Sequence, residues 1–171
     1  AILAAYWGFV RSESLLERGD NPRRAISDRY VYRGIIVDRN NTALTANSGE
    51  AGSYVRELLY PPLSSVIGYS DPNYGQTGIE YKLDGYLRGI TNNSDFTVGM
   101  TRLLYGQDPA GFNVRLSLAL PLQQASDDLL SPYTGAIVLM NAVTGEIMVM
   151  SSSPTFDSNQ LDENWETWMA D

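Results

Sequence analysis

The chain has 171 residues, of which 43% are hydrophobic and 19% charged, and its formal net charge is −8. A chain near this length hides about 70% of its unfolded surface and supports a real core, while the acidic balance argues against nucleic acid and against a polybasic membrane patch. Cysteine and histidine are both absent, which excludes disulfides, thiolate catalysis, Ser-His-Asp catalysis and the commonest metal ligand.

Residues 1–10 form an apolar run, shorter than the roughly 20 residues that span a bilayer. With Tyr6 and Trp7 in it and Arg11 and Glu13 after it, it reads either as the outer end of a membrane anchor or as an ordinary buried helix. Residues 12–24 are polar and close in Asp20-Asn21-Pro22-Arg23-Arg24, a linker-like stretch. Gly34-Ile35-Ile36-Val37-Asp38, a polar turn at 39–42 and Ala43-Leu44-Thr45-Ala46 then predict a hairpin. Residues 47–52 read as loop, and 54–60 as an apolar segment of undecided type, stopped by Pro61-Pro62.

Thr77-Gly78-Ile79-Glu80 has the spacing of a capping box, in which Glu80 reaches back to the Thr77 N–H. Ile79, Leu83, Tyr86 and Leu87 continue at helical spacing to Gly89. Residues 95–105 predict a second helix and 113–118 a short strand. Pro121 suits a first helical turn, with Leu122, Ala125, Leu129 and Leu130 as the apolar face. Residues 136–140 and 147–150 are apolar at every position around a Val143-Thr144-Gly145 turn, the pattern of strands in the middle of a covered sheet. Only a loop and a short segment with Trp165 and Trp168 follow, so this hairpin reads as the opening of a second domain whose body lies elsewhere. The uneven alternation of strands and helices predicts an α+β fold.

Little here suits chemistry. Lys82 is the only lysine and is followed by Leu83, so no P-loop, S-x-x-K or K-T-G motif exists, and no Asn has Ser two positions before it. Asp38, Glu80, Asp84, Asp127 and Asp128 are carboxylates of the kind a glycosidase needs, but any acidic chain offers such pairs, and Asp127-Asp128 reads as a solvated helix face. Asp71-Pro72-Asn73 lacks the glycine and distal Glu of a calcium loop, so no metal and no cofactor are expected. Asn40-Asn41-Thr42 and Asn92-Asn93-Ser94 match a glycosylation pattern of low specificity.

Taken in order, several pieces form a series. They are Asn21-Pro22-Arg23; Arg33-Gly34-Ile35-Ile36-Val37-Asp38-Arg39; Tyr60-Pro61; Ile67-Gly68-Tyr69; and Thr77-Gly78-Ile79-Glu80. Tyr86-Leu87, residues 111–118, Leu122-Gln123-Gln124-Ala125, Gly135-Ala136-Ile137-Val138, Thr144-Gly145-Glu146-Ile147 and residues 151–159 follow. This series, over about residues 21–161, resembles the N-terminal pedestal (dimerisation) region of class B penicillin-binding proteins. These are membrane-anchored cell-wall transpeptidases, here nearest in flavour to the actinobacterial-type elongation enzyme. Two positions depart from the pattern: Ala119 stands where the family usually has Asp, and Arg56 lies further upstream of Tyr60-Pro61 than expected.

The resemblance implies three parts: residues 1–20 as anchor end and linker, 21–131 as pedestal, and 132–171 as the incomplete start of a transpeptidase domain. The fold would be a pedestal of short β-hairpins and helices followed by the first hairpin of a transpeptidase-type sheet. It further implies a protein fixed in the cell membrane by a single-pass anchor, with its bulk extracytoplasmic. The implied partners are a polytopic cell-wall glycosyltransferase, other cell-wall synthesis proteins and the chain's own transpeptidase domain. Arg33, Gly34, Asp38, Tyr60, Pro61, Gly68, Gly78 and Glu80 become structural or interaction candidates, and none is catalytic. Arg33 and Glu80 are expected to meet, with the guanidinium gripping the carboxylate bidentately and tying the first hairpin to the helix. Tyr54, Leu58, Leu59 and Tyr60 could form a contact patch, though a core role is the commoner fate of such residues. A stand-alone extracellular interaction module and a carboxylate-based glycan hydrolase are the competing functions.

Overall fold

The computed structural model describes residues 30–89 and 110–168. The expected anchor end, the linker with Asn21-Pro22-Arg23, the helix at 95–105 and the pattern at Asn92 lie outside the described residues.

The chain is α+β, with short elements throughout. β1 (Ile36–Val37) is followed by β2 (Thr45–Ser48) and β3 (Val55–Leu58), then a 3₁₀ turn at Pro61–Leu63 that runs into α1 (Ser64–Ile67). β4 (Ser70–Asp71) and β5 (Gly75–Gln76) make a small hairpin before α2 (Gly78–Lys82) and α3 (Asp84–Leu87). After the second described stretch begins come β6 (Val114–Arg115), α4 (Leu120–Leu130), β7 (Gly135–Met140) and β8 (Ile147–Ser153). A 3₁₀ turn at Ser158–Gln160 leads into α5 (Leu161–Trp168).

One core organises the first half. Ile36, Leu44, Leu58, Leu63, Ile67, Leu87 and Leu118 come from seven separate places in the chain and pack together. Each fully buried Leu or Ile contributes about 1.5–3 kcal/mol, so the cluster explains why such short elements hold at all.

The hairpin expected over residues 34–46 forms only at its turn. Asp38 N–H donates to Thr42 O and Leu44 N–H to Ile36 O, each at 2.8 Å. Beyond that the strands part. The Thr45 hydroxyl accepts from Ile36 N–H at 2.8 Å and takes the place of a ladder carbonyl. β1 then pairs in parallel with β6, and β2 turns away to pair antiparallel with β3. Asn47 and Ser48, expected in a loop, therefore belong to β2, and the undecided segment is β3.

The capping box does not form. Thr77 N–H already donates to Tyr69 O at 3.0 Å, and the Thr77 hydroxyl makes no capping bond. Glu80 is drawn inward by two guanidinium groups, whose charge-assisted bonds outweigh one backbone amide. The helix expected up to Gly89 is split at Leu83 into α2 and α3.

α4 also departs from its expected face. Leu130 is buried as expected, but Leu122 and Leu129 are 45% and 72% exposed, whereas Gln123 is fully buried at 0%. The buried face is set by β8, whose backbone offers polar groups that an amide can meet and a Leu cannot. Asp127 is half-buried and bonded rather than solvated, while Asp128 is exposed. The β7–β8 hairpin forms as expected, from Gly135–Ser153 to Met140–Ile147. α4 packs chiefly on β8, and Val138 and Met140 of β7 are each 57% exposed. The final segment is a helix, α5, with Trp165 packed against Tyr74 and Tyr69.

Candidate functional site: a buried arginine–carboxylate cluster

Glu80 faces inward from α2, toward the strand ends that carry Arg33 and Arg56. Arg33 Nε donates to Glu80 Oε2 at 2.7 Å, its Nη2 to the Glu80 carbonyl at 2.9 Å, and its Nη1 to Asp84 Oδ1 at 2.7 Å. Arg56, on β3, donates through both Nε and Nη2 to Glu80 Oε1, at 2.8 and 2.6 Å. Its Nη1 reaches Asn47 Oδ1 at 2.9 Å, and the Asn47 amide in turn donates to the Arg33 carbonyl. Gln76 and Arg88 complete the surroundings of Asp84. Arg33 and Glu80 thus meet, but the guanidinium does not grip that carboxylate with two nitrogens. It divides its donors between α2 and α3, while Arg56 spends two on Glu80.

Charges this deep are stable only when paired and fully bonded. The Arg33, Arg56 and Glu80 side chains are 10%, 8% and 1% exposed. Burial pulls the Arg33 guanidinium down, but the Glu80 and Asp84 charges outweigh it and leave Arg33 above its ordinary value. Burial pulls Arg56 down as well. Glu80 answers only part of this, and neighbouring Arg33 adds to the fall. The cluster joins β2, β3, α2, α3 and the start of β1, so it holds the first half in register.

Such a carboxylate cannot serve as a general acid or base. Both Glu80 oxygens accept from guanidinium donors, and the side chain is 1% exposed. The adjoining cavity, lined by Arg56, Glu80, Tyr69, Ser158, Asn159 and Leu161, has a volume of about 30 Å³, room for roughly one water molecule. Among the described residues no group of three acidic side chains could hold a metal ion. No helix among them is long and apolar enough to cross a membrane.

The other candidates fall into two groups. Gly34, Gly68 and Gly78 are places of close backbone approach. A Cβ on Gly34 would overlap the Phe112 carbonyl, and Gly68 and Gly78 stand back to back where α1 meets α2, both at positive φ. Asp38, Tyr60 and Pro61 lie at the junction with α4. Asp38 accepts from Asn40 N–H at 2.7 Å, Thr42 N–H at 2.8 Å and Leu120 N–H at 3.2 Å. Burial opposes the Asp38 charge, but these donors more than offset it and hold the carboxyl below its usual range. Ala119, the N-cap of α4, makes no side-chain capping bond; Asp38 supplies that bond from another element. Tyr60 hydroxyl donates to Asp127 Oδ2 at 2.9 Å, and burial, with that carboxylate beside it, pushes the phenol up. Pro61 opens the 3₁₀ turn that follows. The residues proposed as a contact patch divide, with Leu58 buried and Leu59 52% exposed.

Sequence reasoning missed five partners. Asp84 lies four residues after Glu80 on the same helical face, a readable signal. Arg56 was visible only as an arginine out of its expected place. Asn47, Gln123 and Asn159 carried no signal, because an amide's partner is set by the backbone brought to it.

Residues 33–114 match the family model described as the penicillin binding protein A dimerisation domain. Peptidoglycan D,D-transpeptidase PbpA from Mycobacterium tuberculosis is 31% identical over 147 residues, covering 81% of this chain and 30% of the relative. Peptidoglycan D,D-transpeptidase MrdA from Salmonella typhimurium is 33% identical over 167 residues, covering 80% and 26%. The solved penicillin-binding protein A from M. tuberculosis, an imipenem acyl-enzyme complex, superposes with a TM-score of 0.72 at 26% identity, over 84% of this chain and 35% of that one. The chain spans about 30% of the length of the curated relatives it matches.

Proposed function

We propose a function on the premise that this chain belongs to the class B penicillin-binding proteins, whose dimerisation domain it carries in residues 33–114. The chain is the non-catalytic pedestal of a peptidoglycan D,D-transpeptidase, together with the first hairpin of the catalytic domain. In the whole protein a serine outside this chain is acylated by the D-Ala-D-Ala end of a stem peptide and releases D-alanine. A neighbouring amine then takes the acyl group. The pedestal holds that domain away from the membrane, on the extracytoplasmic side of a single-pass anchor, and contacts the glycosyltransferase that polymerises the glycan.

The observation that carries this reading is the hairpin. Its strand β7 is apolar at nearly every position yet exposed on both faces, and it is attached to a finished core. Leu122 and Leu129 of α4 are exposed as well. Bare apolar strands of this kind mark a surface built to be covered, and the body of a transpeptidase domain is the covering layer in this reading. The burial of Glu80 between two guanidinium groups supports a structural role for the cluster and weighs against glycan hydrolysis.

Labelled penicillin tests the reading. The whole protein containing this chain should form an adduct that survives denaturation, and residues 1–171 alone should form none. An adduct on the isolated chain, or none on the whole protein, would refute it.

A further inference from the structure

After β8 the chain returns to the pedestal, and the contact it makes there is specific. Asp157 Oδ1 accepts from Asn159 N–H at 2.9 Å, which orients the 3₁₀ turn. The Asn159 side chain then faces Leu58 at the end of β3. Its Oδ1 accepts from Leu58 N–H and its Nδ2 donates to Leu58 O, both at 2.9 Å. Leu59 N–H points the other way, toward Leu44 O on the β2 side. Alternation along a strand therefore puts the Leu58 groups on the outer edge, and one side-chain amide occupies the place of a neighbouring strand. Beside it, Ser158 N–H donates to Ser64 Oγ at 3.0 Å, and that hydroxyl donates to Pro61 O at 2.7 Å. Leu161 is buried, and Trp165 lies 4.5 Å from the Tyr74 ring.

The start of β8 is held separately, by the Ser117 hydroxyl donating to Ile147 O at 2.7 Å and Ala119 N–H donating to Met148 O at 2.9 Å. The pedestal thus grips the hairpin at the start of β8 and the chain again where it leaves. A single grip permits rotation about it; two do not. Ser158 both donates to and accepts from the Ser64 hydroxyl, whereas the Asn159 amide exchanges a donor and an acceptor with the backbone of one strand residue. An aspartate of equal shape would accept from Leu58 N–H but repel Leu58 O.

We propose that Asn159 is a positioning residue, whose amide clamps the exit of the hairpin to the pedestal and so sets how the chain enters the rest of the catalytic domain. The catalytic half of this statement rests on the transpeptidase reading above; the clamp does not. Movement of the pedestal would reach the acylated serine through this segment.

The test uses the whole protein, with Asn159→Ala and the isosteric Asn159→Asp, and Asn164→Ala as a control. Asn164 bonds only within its own turn, to Gln160. Hydrogen exchange at the Leu58 amide and across residues 157–168 should rise about tenfold in both Asn159 variants, with residues 78–87 unchanged. Acylation by labelled penicillin should slow about tenfold while the final labelled fraction stays the same. The control should change neither. Exchange that does not rise overturns the clamp, and exchange that rises while acylation keeps its rate overturns the positioning role. A wild-type protein that takes no penicillin, with the exchange effect present, overturns the transpeptidase reading and the positioning role but leaves the clamp standing.

Discussion

Glu80, in the first half of the molecule, and Gln123, in the second, are both buried, one among charges and the other against backbone. Glu80 is buried and met by two guanidinium groups. Gln123 accepts from Met150 N–H at 2.8 Å and donates to Met150 O at 3.2 Å and Ser151 Oγ at 3.0 Å, so it stands in for a strand beside β8. Around Glu80 the apolar residues are inside. Around Gln123 several lie outside, Leu122, Leu129 and Val138 among them, although Val149 and Leu130 are buried. The comparison separates a core that is closed on itself from a half-layer that hides its polar group and displays its apolar ones. Stability should follow the first region, and association the second.

The largest effect should come from breaking the charged cluster. Glu80→Gln removes the charge shared by Arg33 and Arg56; Asp84 still meets Arg33, but the buried Arg56 guanidinium loses the carboxylate it is paired with. Such losses cost about 3–5 kcal/mol, read from urea denaturation followed by tryptophan fluorescence. A change below about 1 kcal/mol, the range of exposed ion pairs, would mean that the cluster is not the brace described.

Two leucines sharpen the contrast. Leu63 is 0% exposed and Leu129 72%. Leu63→Ala should cost about 2–5 kcal/mol, and Leu129→Ala should stay within about 0.5 kcal/mol. In the isolated chain, however, Leu129→Ala combined with Val138→Lys should reduce self-association in sedimentation. Equal costs at the two leucines would erase the distinction between the regions.

Gln123→Leu preserves bulk and restores the apolar face that periodicity predicts for α4. It also strips both Met150 backbone groups of their partner, at about 1–3 kcal/mol. A neutral or stabilising outcome would show that β8 needs no substitute neighbour.

Gln123 also marks the limit of what could be read in advance. The α+β class, the β7–β8 hairpin and the meeting of Arg33 with Glu80 were legible, since each is written in local pattern or in an ordered series of motifs. The faces of α4 were not. Leu122, Ala125 and Leu129 repeat at helical spacing, and periodicity cannot say which of several layers will cover them. The capping box failed for a related reason: Thr77 and Glu80 satisfy a local rule, but two distant arginines make the better offer. Asn159 and Asp38 were invisible as partners of Leu58 and Leu120, because their bonds depend on backbone brought near by the fold.

Asp38 should give the smallest effect and the one that depends on pH. Among the described residues it is the side chain that bonds the first turn of α4 from the 38–42 turn, through Leu120 N–H, and it closes that turn as well. Its folded-state carboxyl lies below the usual range because three amides stabilise the anion. The sign follows from linkage. Above the ordinary carboxylate value of about 3.9 the contribution is fully present, and it is lost as pH falls through the lower folded-state value. Asp38→Asn keeps an acceptor but removes the charge. It should cost about 1 kcal/mol at neutral pH, in the range of a lost helix cap. The difference from wild type should then narrow below about pH 4. A difference that stays constant from neutral to acid pH would show that the turn and α4 are held by shape alone, and would leave the link between the two regions to Tyr60 and Asn159.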